Sequence, residues 1–178
     1  DEAMIGELVP LKMDRAIFQT DVTPSEAGPH GKDVIVFCVT TNPGTPPGPL
    51  ARIASGGELS RFLLALKVCL RTTEDVQTVI FDEIDRGVGG ATADAVGRRL
   101  SDLAIGGQVL VVTHSPQVAA FATRHFRVSK QQSDNETLSD VENLDQDARI
   151  GEIARMISGD IITKEALAAA ETLIKASN

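Results

Sequence analysis

At 178 residues with 42% hydrophobic content, the chain is long enough for one domain with a substantial core. No apolar run approaches the ~20 residues of a membrane-spanning helix, and a start interrupted by Asp1, Glu2, Glu7 and Pro10 has no signal-peptide pattern, so a cytoplasmic setting without a membrane partner is expected. The net charge of −8, with acid gathered after Gln131 (Asp134, Glu136, Asp140, Glu142, Asp145, Asp147), excludes a broad surface for gripping polyphosphate.

In chain order, residues 1–9 read as the tail of a helix ended by Pro10. The β-rich stretches 15–22 and 33–41, separated by the turn-forming residues Thr23 to Gly31, predict a β-hairpin with a long loop. Residues 42–49 are rich in Pro and Gly, lack periodicity and read as a loop. A helix is expected from about Glu58 to Thr72, with Leu59, Phe62, Leu63, Leu66 and Leu70 on one apolar face. Val76–Asp82 has the pattern of a short strand buried on both faces. A helix over 91–104 and a second buried strand over 108–113 follow, then a helix opened by Ser115 as N-cap and Pro116 at its first position. Residues 126–130 and 137–141 predict two further strands. Helices over 147–157 and 164–176 close the chain, with Gly159 stopping the first and Thr163 capping the second. Cys38 and Cys69 fall in predicted core positions and read as reduced structural thiols. The missing initiator Met reads as a piece of something longer.

The strand–helix–strand–helix order in the middle predicts a parallel sheet, whose ligands bind beyond the carboxyl ends of the strands. Asp82, Glu83 and His114 all lie at or just past such ends. An Asp held there can bind magnesium, and Glu83 beside it can take a proton from an attacking water. Alone, the pair also fits a solvated acidic turn. Ser55-Gly56-Gly57 precedes the helix that begins near Glu58; the glycines let backbone amides approach an anion, the helix adds its positive end, and Ser55 adds a hydroxyl. The same residues also fit an ordinary N-cap. His114 can donate to a phosphate oxygen, or serve as a satisfied structural histidine, the reading given to His30 and His125. Asp85 precedes a loop containing Gly87, Gly89 and Gly90 and equally fits a helix-entry loop. Residues 28–33 (Gly-Pro-His-Gly-Lys-Asp) imitate a phosphate loop, but Glu26 stands at its first glycine position, Asp33 at its Ser/Thr position, and a strand follows where a helix is required. Together the elements point to nucleoside triphosphate chemistry with the phosphate loop supplied from elsewhere.

In this order and spacing the elements resemble the C-terminal half of an ABC-type ATPase head. Residues 54–61 (Ala-Ser-Gly-Gly-Glu-Leu-Ser-Arg) match the signature motif, Thr78–Glu83 the Walker B strand with its glutamate, Asp85 the D-loop and His114 the switch histidine. Transporter ATPases usually continue Walker B as D-E-P-T-S-A-L-D. The run Asp82-Glu83-Ile84-Asp85-Arg86-Gly87-Val88-Gly89-Gly90, with Leu50-Ala51-Arg52-Ile53 before it and residues 112–119 after it, instead resembles the RecN family of SMC-like bacterial DNA double-strand-break repair proteins. Residues 28–33 and 152–159 share the resemblance; Ser115 departs from it, standing where an apolar residue is usual.

The resemblance implies an α/β fold: the C-terminal lobe of an ABC-type ATPase head, mainly parallel sheet flanked by helices, with an N-terminal β-hairpin. Residues 1–14 would be the end of a coiled-coil helix and its linker, and 15–178 the lobe. ATP and Mg2+ are the implied cofactors. The implied partners are an N-terminal Walker A lobe of the same protein, a second head in an ATP-dependent homodimer, and DNA through the full-length protein in the bacterial nucleoid. Asp82 would hold magnesium, and Glu83 and His114 would be catalytic. Ser55, Gly56, Gly57 and Glu58 would meet the nucleotide of the opposite head, with Asp85 near the dimer seam. Another SMC/Rad50-like head, a transporter ATPase subunit and a non-catalytic assembly module remain alternatives.

Overall fold

The computed structural model describes residues 1–42, 44–53, 55–70, 78–132 and 137–177. The expected helix end at Thr72, strand start at Val76, signature residue Ala54 and acidic residues Asp134 and Glu136 lie outside them. The elements are α1 (Glu2–Leu8), β1 (Ile17–Gly28), β2 (Gly31–Thr40), β3 (Gly48–Pro49), a 3-10 turn at Leu50–Arg52, α2 (Gly56–Cys69), β4 (Thr78–Asp82), α3 (Gly90–Ala104), β5 (Gln108–Val112), α4 (Pro116–Ala120), β6 (His125–Gln132), β7 (Thr137–Leu144), α5 (Gln146–Ser158) and α6 (Lys164–Ser177).

The strands form three sheets: antiparallel β1-β2-β3, parallel β4-β5 and antiparallel β6-β7. The hairpin is longer, and its turn shorter, than the turn-rich residues Thr23 to Gly31 predict. Pairing runs from Ile17↔Thr40 to Pro24↔Asp33, shifts register, and resumes at Gly28↔Gly31, leaving Pro29 and His30 as the turn. Pro24 fits because β1 is an edge strand beside a register irregularity, where a missing N–H is tolerated. The hairpin is anchored at its base by buried Phe18, Cys38 and Val39, with the Phe18 and Phe37 rings 5.6 Å apart; its distal Val22, Val34 and Ile35 are exposed. Part of the expected loop at 42–49 forms β3, which pairs Gly48 with Val39 and Pro49 with Cys38. Cys38 and Cys69 are free thiols whose pKa values are raised, chiefly by burial.

The main core joins Met4 and Leu8 of α1, Leu11, Met13, the hairpin base, Phe62, Leu64 and Ala65 of α2, Ile84, and Ala93, Val96, Leu100 and Leu103 of α3. The buried stripe of α2 is rotated from the one that periodicity predicts: Leu63 and Leu70 are 42% and 63% exposed, whereas Leu64 is fully buried. Because α2 packs against both α1 and α3, its neighbours select a broad face that one 3.6-residue stripe does not describe.

The β4-β5 pair has one packed face and one open face. Val79, Phe81, Val109 and Val111 lie against the main core. Their alternates Ile80, Leu110 and Val112 are 67%, 42% and 53% exposed, which corrects the expectation of burial on both faces. Among the described residues no helix is long and apolar enough to cross a membrane.

A second core is built by α4, α5 and α6: Ala119 and Ala120 meet Ile153, Ala154, Ala166, Ala170 and Ile174. Val118, one residue earlier on α4, belongs to the main core, so this short helix bridges the two. Its cap forms as expected, with the Ser115 hydroxyl accepting from the Val118 amide. Gly159 ends α5 at φ +79, and the Thr163 hydroxyl accepts from the Ala166 amide at 3.2 Å.

On α5, Glu152 is buried and accepts three hydrogen bonds from Arg155, the shortest 2.6 Å, with Arg127 3.8 Å away. Hydrogen bonding from Arg155 holds the Glu152 pKa below its ordinary value against the opposing effect of burial. A depressed folded-state pKa supplies stability above the ordinary carboxylate pKa and loses it as pH falls through the folded value. Urea unfolding of wild type and Glu152→Gln across pH will therefore show a stability gap that is open near neutrality and closes in acid. A gap independent of pH contradicts this.

Candidate functional site

Parallel pairing places the ends of β4 and β5 side by side, with Asp82 opposite Val112. One more bond, Glu83 N to Val112 O at 3.1 Å, extends the contact past the strand end. The chain then turns sharply. Glu83 has φ +49, a left-handed conformation that is unusual for a residue with a side chain. Its carbonyl accepts from Arg86 N at 3.0 Å, closing a turn over Glu83–Arg86.

That turn sorts its side chains. Asp82 and Glu83 are exposed, Ile84 and Asp85 are buried, and Arg86 is exposed. Two carboxylates thus stand outward from a rigid strand end, while Ile84 anchors the turn in the main core. Arg86 Nη1 lies 3.5 Å from Glu83 Oε2, but both side chains are largely solvated, so this ion pair adds little stability.

Asp85 faces inward, toward the segment that carries His114. Its Oδ2 accepts from the Thr113 hydroxyl and, at 3.1 Å, from the Ser115 amide. The Ser115 amide also lies 2.9 Å from Thr113 Oγ1. His114, between these two anchored residues, is exposed. Asp82, Glu83 and the Thr113–Ser115 segment are thereby brought together at one end of the parallel pair.

The Ser55–Glu58 turn opens α2. Ser55 caps the helix by accepting from the Glu58 amide at 3.4 Å, and among the described residues its hydroxyl donates to no acceptor. The two glycines are not equivalent. A Cβ on Gly56 meets open space, whereas one on Gly57 would lie 2.4 Å from the Arg86 carbonyl oxygen. Gly57 is therefore needed for packing within the chain, independently of any anion. It seats the start of α2 against the loop that follows Glu83. Arg61, one turn further along, is half-buried; its Nε has no hydrogen-bond partner among the described residues, and burial lowers its pKa against the pull of Glu58.

Sequence reasoning did not identify Thr113, Ser115 and Arg86 as contacts of the site. The signal was their adjacency to His114 and Asp85. His30 lies in the hairpin turn; His125 is half-buried, its pKa lowered by burial first and by Arg149 second. Among the described residues, no group of three or more His, Cys, Asp or Glu side chains forms a metal cluster. The exposed Asp82 carboxylate, with exposed Glu83 next to it, is compatible with a magnesium ion held mostly by water and phosphate oxygens, since that ion ordinarily takes only one or two protein carboxylates.

The unequal glycines give a direct test. Gly57→Ala will destabilise the protein by about 1–3 kcal/mol through overpacking, while Gly56→Ala leaves the unfolding midpoint nearly unchanged. Equal effects in urea unfolding contradict the packing role of Gly57.

No protein-family model matches the chain. The DNA repair protein RecN of Rickettsia conorii is 47% identical over 174 residues, covering 98% of this chain and 32% of that protein. RecN of Xylella fastidiosa is 52% identical over 147 residues, covering 83% and 26%. The chain thus spans between about a quarter and a third of the length of these curated relatives. Among solved structures, the Smc head domain with a coiled coil and joint from Pyrococcus yayanosii superposes with TM-score 0.62 at 17% identity, over 88% of this chain and 29% of that one. At that identity the likeness establishes the fold. Over nearly its whole length this chain is similar in sequence to part of the RecN proteins, and it shares its α/β fold with part of an SMC head structure.

Proposed function

We propose that this chain is the C-terminal lobe of a split, SMC-like ATPase head that serves DNA double-strand-break repair by recombination. The observation that supports this most directly is the meeting of Asp82-Glu83 with the Thr113–Ser115 segment at the carboxyl ends of paired parallel strands. That proximity supports reading Asp82 as a metal-site acid, Glu83 as the base and His114 as the switch histidine of one site. The open face formed by Ile80, Leu110 and Val112 suits burial against the lobe that carries the phosphate loop. Residues 1–14 would be the end of the coiled-coil helix and its linker, and the full protein would work in the cytoplasm on nucleoid DNA.

Asp82 would hold magnesium, which when bound neutralises charge developing on the transferred phosphoryl group. Glu83 polarises the attacking water and takes its proton. His114 donates to a terminal phosphate oxygen. The Ser55 hydroxyl and the amides of Gly56, Gly57 and Glu58 serve the nucleotide of a second head, whose own acids face this head's signature turn across a twofold interface. The loop beginning at Asp85 borders the seam between heads. ATP joins the heads and hydrolysis releases them; the coiled coil converts that cycle into holding DNA. The acidic balance of the lobe suits nucleotide handling more than direct DNA contact.

In the full-length protein, Glu83→Gln will lower ATP hydrolysis by about 10²–10⁴-fold while retaining ATP-driven head pairing; wild-type turnover removes Glu83 from this role. Ser55→Arg will block pairing and leave ATP binding to a single head intact; normal ATP-dependent dimerisation rules out its action on the opposite site. This chain alone, lacking a Walker A loop, will not turn over ATP, and significant hydrolysis by the highly purified chain refutes that.

A further inference from the structure

Asp85 has the most constrained carboxylate near the site. It is buried, at 8% exposure, and among the described residues it makes no ion pair. A buried carboxylate needs strong compensating partners. Here they are the Thr113 hydroxyl and the Ser115 amide, both donating to the same oxygen. These are the residues immediately before and after His114. A carboxylate accepting such charge-assisted bonds, shielded from water, fixes its partners more firmly than neutral acceptors do.

On its own side, Asp85 follows fully buried Ile84 and lies two residues beyond Glu83, whose φ of +49 is held between bonds to Val112 and Arg86. The clamp therefore spans from the turn holding the candidate base to both peptide neighbours of the candidate phosphate donor. His114 itself is exposed on the short link between β5 and α4, where Asp85 adds to the hold that the Ser115 cap and the Ser115–Thr113 contact already give. We infer that Asp85 is a positioning residue whose carboxylate locks the Thr113–Ser115 segment so that His114 and Glu83 keep a fixed relation during hydrolysis. This rests on the reading of Glu83 and His114 as hydrolytic groups. It assigns Thr113 a functional part as the hydroxyl half of the clamp.

The test uses the full-length protein. Thr113→Val removes the donor at nearly constant volume. It will lower kcat by about tenfold to a hundredfold, the scale of a small misplacement of a catalytic group, with KM for ATP and ATP-driven pairing unchanged. Thr113→Ser, which keeps the hydroxyl, will restore most of the rate. Because the clamp acts through His114, Thr113→Val combined with His114→Ala will be no slower than His114→Ala alone. If Thr113→Val fails to fold by thermal melting, Asp85→Asn, which keeps the side-chain shape and weakens the acceptor, is read the same way. A folded clamp variant with wild-type kcat, or losses that multiply in the double variant, overturns the positioning role. Glu83→Gln tested in parallel separates the two failures: slow turnover there beside a normal clamp variant sinks only the clamp, and wild-type turnover there sinks the site reading beneath it.

Discussion

The parallel pairing of Thr78–Asp82 with Gln108–Val112 is the constraint on which the rest of the site depends. Its register sets Asp82 opposite Val112, so the chain leaving β4 and the chain leaving β5 emerge as neighbours. Each then brings its polar residues into a shared space: Asp82, Glu83 and Asp85 from one side, Thr113, His114 and Ser115 from the other. Slipping a parallel strand by one residue would invert its faces, burying Asp82 and Ile80 and exposing Phe81. The packing of Val79, Phe81, Val109 and Val111 against the main core prevents that slip.

Two further contacts extend this order to the rest of the molecule. Gly57 approaches the Arg86 carbonyl too closely for a side chain, so the Ser55–Glu58 turn and the loop after Glu83 are mechanically joined. The short helix α4 joins the His114 segment to both cores, through Val118 on one side and Ala119 and Ala120 on the other. Arg149 and Ser177 both donate to the Ala120 carbonyl at 2.6 Å, fastening the C-terminal helices to the same bridge. In the reading proposed for this lobe, a head whose two half-sites share one rigid frame can respond to both nucleotides together.

Much of this was legible in the sequence because local rules and tertiary packing agreed. Ser115-Pro116, Gly159 and Thr163 specify helix ends through backbone chemistry that needs no partner. The apolar runs before Asp82 and before His114 specify strands whose carboxyl ends must be polar. What the sequence left open depended on neighbours. Thr23 to Gly31 is rich in turn formers, yet an edge position lets Pro24 remain in a strand. Apolar periodicity on α2 favoured Leu63 and Leu70, while contact with α1 and α3 buried Leu64 instead. Ile80 and Val112 read as core residues, and within this chain nothing described covers them. The partners of Asp85 lie 28 and 30 residues away, beyond the reach of any local motif.

In the proposed reading, one chain gives its acids to one nucleotide and its Ser55–Glu58 turn to another. Mixing two inactive full-length variants, Glu83→Gln and Ser55→Arg, and measuring ATP turnover tests it most directly. If the sites are shared between heads, a mixed pair keeps one unobstructed site, an intact glutamate facing an intact Ser55; that site holds the pair where two obstructed sites would not, and turnover rises well above that of either variant alone. If each chain completes its own site, every site in the mixture carries a lesion, and the absence of any recovery in verified mixed dimers contradicts the account.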